Sequence, residues 1–118
     1  MIARVPFDEG TLTGALTAGS NWPEGDWRNT YFGPENLGPS VERAGRLQAA
    51  VRGRMPLPEL ALRFILEHPA VSAVIPGMRT PAHVRANLGV SDGRPLDQAL
   101  LGELRLHRWD RVPAPWSG

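Results

Sequence analysis

Val74 to Leu88, VIPGMRTPAHVRANL, carries a strand ending, a turn and a helix start in one short span. Val74 and Ile75 close the β-rich run AVSAVI, bounded by Pro69 and Pro76, which reads as a buried strand. Pro76 and Gly77 break it. Thr80 and Pro81 then form an N-cap and first-turn pair for a helix carrying Val84 and Leu88. A helix start offers unpaired N–H groups and a partial positive charge, so an anion can bind there. Gly77 lets backbone approach a ligand closely, and Arg79 adds a planar charged fork suited to phosphate.

Working upstream, PLPELALRFILEHP places Pro58 at a helix start, with Leu62, Ile65 and Leu66 on one stripe and Pro69 as a stop. Before it, Ser40 reads as an N-cap for a helix bearing Val41, Ala44, Leu47 and Val51, with Gly53 where a C-terminal cap belongs. Ala15 to Pro39 is a long Gly-, Pro- and Asn-rich loop whose Trp22, Trp27, Tyr31 and Phe32 predict that it packs onto the fold. The start IARVPF reads as a short strand that Pro6 ends or places at an edge, and DEGTLTG as a loop. Downstream, PLDQALLGELRLHRW repeats Leu at 96, 100, 101 and 104, a last amphipathic helix before a Pro-rich tail.

The order strand, loop, helix, helix, strand, helix, helix points to parallel βαβ organisation. Two strands make a marginal sheet unless something covers it, so the chain reads as part of a larger barrel or sheet. The predicted core is Leu62, Phe64, Ile65, Leu66, Val71, Val74, Ile75, Val84, Leu88, Leu100 and Leu104.

Composition narrows the function. With 118 residues, 42% hydrophobic content and a net charge of +1, the chain is one packed domain or less. It has no cysteine, hence no disulfide, thiolate nucleophile or Cys-based metal site. All 13 basic residues are Arg, interspersed with 12 acids, so neither lysine chemistry nor a nucleic-acid footprint is supported. No apolar run reaches the roughly 18 residues of a membrane span, and the start lacks the pattern of a signal peptide. The expected location is cytoplasmic. His68, His83 and His107 lack metal-site spacing, and Asp8 and Glu9, adjacent on an extended chain, would point to different sides. No nucleophile, base and orienting group occur together.

These segments resemble the aldo-keto reductase family over Ile2 to about Arg108. IARVPFDEGTLTGAL looks like its seventh barrel strand and following loop, and ALRFILEHPAVSAVIPGMRTPAHVRANL is similar to its seventh helix, eighth strand and cofactor helix. PLDQALLGEL resembles its closing helix, and WPEGDWRNTYFGPENL the long loop of one bacterial branch with an Asp-aromatic-Arg triplet. The resemblance implies an α/β fold, the C-terminal part of a (β/α)8 TIM barrel, with a single partial domain over 1–118: strand and cofactor loop 1–14, long loop 15–39, helix-helix-strand-helix-helix 40–109, and tail 110–118.

It also implies NADP as cofactor, contacted by Pro6, Phe7, Gly10 and Leu12 after the first strand and by Gly77, Arg79, His83 and Asn87 after the second. Arg79 would meet the 2′-phosphate, with His83 and Asn87 facing the adenosine. The family pattern differs at Val5, commonly Ser, at His83, usually Gln, and at Ala86, usually a Glu that accepts from adenine, so adenosine recognition is expected to be weaker than the norm. The catalytic Asp, Tyr, Lys and His of the family lie in strands that would precede Met1, and Tyr31 is expected to pack rather than catalyse. The chain is therefore expected to be inactive alone, with no catalytic or metal residue of its own. Its expected roles are the cofactor-binding part of a reductase, one chain of a split reductase whose other chain supplies the remaining strands, or a self-associating module without activity.

Overall fold

Ile2–Arg4 forms β1 and Ala73–Ile75 forms β2, and the two run parallel with Ile2 opposite Ala73, Ala3 opposite Val74 and Arg4 opposite Ile75. The ladder extends past the strand ends, since Ser72 N donates to Met1 O at 2.8 Å. A parallel pair cannot be closed by a tight turn and needs a crossover. Here the crossover holds α1 (Arg28–Tyr31), α2 (Leu37–Val51) and α3 (Leu57–Leu66); α4 (Pro81–Leu88) and α5 (Gln98–Arg105) follow β2. Short 3-10 turns lie within Asp8–Thr13, interrupted by a kink at Glu9 and Gly10, and at Gly89–Asp92. This computed structural model describes residues 1–113, so the end of the predicted tail, 114–118, lies outside the described residues.

The core belongs to helices rather than to the sheet. Ala44, Leu47 and Val51 of α2 recur every three or four residues and meet Leu57 and Leu60 of α3 and Leu96, Leu100, Leu101 and Leu104 at α5. Leu62, Leu100 and Leu104 are buried as predicted, but Ile75 is 61% exposed, Leu88 60%, Phe64 43% and Val84 37%. Val71, Val74, Ile65 and Leu66 are half-buried. The reason is that a sheet of two three-residue strands covers few side chains, and α4 offers no buried residue to the rest of the fold. AVSAVI is accordingly shorter and more open than the predicted buried strand.

Two helix boundaries also move. α2 begins at Leu37, so Ser40 sits buried inside the helix, its N–H donating to Asn36 O at 3.0 Å. Pro39 is tolerated because a first-turn residue needs no N–H partner within the helix. At the other end Arg52 itself takes the left-handed cap conformation at φ 50°, one residue before Gly53 at φ 71°.

One ionic knot fixes the end of α3. Arg63, only 5% exposed, donates from Nε to Glu59 Oε1 at 2.8 Å, from its two terminal nitrogens to both Asp92 oxygens at 2.8 and 3.0 Å, and to Arg94 O at 3.0 Å. These bonds raise the Arg63 pKa and hold the Asp92 carboxyl well below the usual range. The long loop does pack: Trp22 stacks on Phe32 with centroids 5.2 Å apart, and the Arg28 guanidinium lies 5.5 Å from the Trp22 ring centre. Asp26 accepts two bonds from the Arg28 guanidinium at 2.9 and 2.7 Å and one from its backbone N–H, which lower its pKa to about 2. Among the described residues no helix is long and apolar enough to cross a membrane.

Candidate functional site

Where the chain leaves each strand at the same end of the sheet, the two following loops wall a cleft of about 620 Å3. One wall is Val5, Pro6, Phe7, Glu9, Gly10 and Thr13; the other is Gly77 and Arg79; Arg4 and Ile75, the last residues of β1 and β2, lie between them. Pro6, Phe7, Gly10, Gly77 and Arg79 were predicted from sequence, and the fold brings these together.

The first wall has an unusual backbone. Val5, Asp8 and Glu9 take φ of 55°, 48° and 54°, left-handed values that L side chains rarely adopt, and Gly10 follows at 114°, where a side chain would be strained. Asp8 and Glu9 are thus not on an extended chain, contrary to expectation. Tight bonds close the loop: Asp8 N to Val5 O at 3.1 Å, and both Gly10 N and Leu12 N to Phe7 O at 3.0 Å.

The second wall is simpler. Thr80 caps α4 as predicted, its Oγ1 accepting from His83 N at 3.2 Å. Asn87 Nδ2 donates to Gly77 O at 3.4 Å, which ties the turn to the far end of the helix. A Cβ built on Gly77 would meet no protein atom within 4 Å, so the space beside this backbone is open to a ligand.

The remaining predicted residues sit elsewhere. Leu12 packs against the helical core and lines a separate apolar hollow of about 490 Å3 with Leu47, Leu57, Phe64 and Trp109. His83 and Asn87 are not part of the cleft lining; the His83 ring is exposed on α4 and Asn87 acts through Gly77. His107 is half-buried at the edge of the apolar hollow.

Charge defines what the cleft suits. Arg4 and Arg79 present two cations to it, a pair that fits a phosphate-bearing ligand. Glu9 opposes them as an acid on the same cleft. Arg4, Val5, Glu9, Thr13 and Ile75 were not predicted; Arg4 was legible as a charge at a strand end, whereas Glu9 depends on the left-handed loop. No group of three His, Asp or Glu among the described residues could hold a metal ion.

The aldo/keto reductase family model matches residues 1–107. The chain belongs to the aldo/keto reductase family. No curated protein matches the chain. Membership makes it a polypeptide of an oxidoreductase family whose members generally use NAD(P)H, and its helix-rich α/β fold with a small parallel sheet is consistent with part of that family's barrel. The cleft therefore lies on an aldo/keto reductase, between two loops that follow parallel strands.

Proposed function

We propose that this chain is the C-terminal, cofactor-binding portion of an NADP-dependent aldo-keto reductase, supplying barrel strands seven and eight and inactive in carbonyl reduction by itself. The supporting observation is the single cleft that collects Pro6, Phe7, Gly10, Gly77 and Arg79 from two loops far apart in sequence. Barrel enzymes commonly hold phosphate at the loops after these last two strands.

Bound NADPH would supply hydride. The chain's own residues do the holding: Arg79 offers its fork to the 2′-phosphate, Gly77 admits backbone approach, and Asn87 fixes the turn that carries both. Nothing here moves a proton to substrate. The chain has no lysine, and its one tyrosine hydroxyl donates to Asp8 with its pKa pushed up by burial and by that bond.

The outer edges of β1 and β2, unpaired among the described residues, favour a second reading, in which another chain supplies the remaining strands of a split reductase. Calorimetric titration with NADP and NAD tests the first. The parent chain should prefer NADP, and Arg79→Ala should weaken NADP binding by about 10- to 100-fold, the worth of one charged hydrogen-bonded contact, while leaving NAD affinity nearly unchanged. Equal affinities for the two dinucleotides in the parent chain would remove Arg79 from the proposal.

A further inference from the structure

Asp8 sits inside the left-handed loop, yet its carboxylate is spent on two segments distant in sequence. Tyr31 Oη donates to Asp8 Oδ1, and Arg111 Nη2 pairs with Asp8 Oδ2. The Arg111 guanidinium lies 4.6 Å from the Tyr31 ring centre and 5.6 Å from that of Phe32, so the cation is stacked as well as paired. Asn36 Nδ2 donates to Val112 O at 3.1 Å and holds the tail against the same loop. Tyr31 and Phe32 meet edge to face at 4.9 Å, and Phe32 is buried.

We infer that Asp8, Tyr31 and Arg111 form a clamp that positions the cleft wall from Val5 to Gly10, making them positioning residues for the cofactor. The inference rests on the cleft as the dinucleotide site but concerns residues that do not line it. The physical need is evident in the backbone. Three non-glycine residues at positive φ are strained and persist only where surrounding structure holds them. Loop hydrogen bonds from Asp8, Gly10 and Leu12 amides are local and cannot by themselves tell the loop where to sit relative to Gly77 and Arg79. The clamp can, because Tyr31 and Arg111 belong to the long loop and the tail, which are braced against α2 through buried Asn36 at its start. Glu9 is held on the cleft, and Gly10 in its left-handed turn, as by-products of where Asp8 is anchored.

Two readouts separate this clamp from ordinary packing. Hydrogen exchange at the Gly10 and Leu12 amides should quicken about tenfold in Tyr31→Phe, which keeps the ring contacts and removes only the hydroxyl, as expected for loss of one bond to a charged acceptor. Exchange within α3 should stay unchanged. Arg111→Met should behave likewise and Arg111→Lys should restore most of the protection. NADP binding should weaken several-fold in Tyr31→Phe and Arg111→Met, because affinity falls with the fraction of molecules holding the binding-competent loop. Unchanged amide exchange in both variants overturns the clamp. If Tyr31→Phe loses protection throughout α3 as well, the Arg111→Met and Arg111→Lys pair carries the decision, and equal exchange in those two overturns it. Quickened local exchange in the variants, with a parent chain that binds no dinucleotide, supports the clamp and removes the cofactor reading instead.

Discussion

Glu9 is the residue whose placement most affects what the cleft tolerates. It faces a site whose other charged lining residues are Arg4 and Arg79, and a carboxylate beside a phosphate opposes binding. Glu9→Gln keeps the shape and removes the charge, so NADP affinity should rise by about two- to tenfold, and more at low salt, where a Debye length of tens of ångströms leaves the repulsion unscreened. Titration at two ionic strengths checks this; no gain at low salt would place Glu9 outside the reach of the phosphates. The Thr80 cap was legible in the sequence because it acts on the His83 amide three residues on. Asp8 was not, since its partners stand 23 and 103 positions off and nothing local advertises such a pairing.

At the scale of elements, α3 and α4 show how periodicity can be right about a helix and wrong about its surroundings. Both helices form where Pro58 and Pro81 set their first turns. Yet α3 buries Leu57, Leu60 and Leu62, while α4 exposes Val84 and Leu88. An apolar stripe states which face a helix would bury, and only tertiary structure states whether anything covers it. Stability should separate the two. Leu62→Ala should cost about 2–5 kcal/mol, whereas Leu88→Ala should stay within about 0.5 kcal/mol, as is usual for exposed sites. Urea denaturation of both variants measures the difference; similar losses would mean that α4 is covered in solution. The Arg63 knot was likewise hidden, because a residue that looks like a solvated helix charge is buried once Glu59 and Asp92 converge on it.

For the molecule as a whole, the helices hold the fold and the sheet is its open side. Among the described residues each strand pairs on one side only, and Ile2 and Ile75 are exposed beside the other edges. Such edges template pairing with another chain. The purified chain should therefore show an apparent mass that climbs with concentration in light scattering, and Ile2→Lys with Ile75→Lys should lower it; a constant monomer mass would show that the edges are protected. The parallel organisation and the likeness to part of a barrel were readable from the alternation of strand and helix signals, and the family match over residues 1–107 agrees. The shortness of the strands was not readable, since AVSAVI carries Val71, Val74 and Ile75 whether or not neighbours are there to pair with it. The left-handed loop bears on how this sequence can drift over generations. Glycine or asparagine at Val5 and Glu9 would relieve backbone strain and raise stability. A lineage selected only for persistence in the cell would accumulate those replacements, which keep the same backbone course, so continued occupancy by Val and Glu would record selection for the side chains those two positions carry.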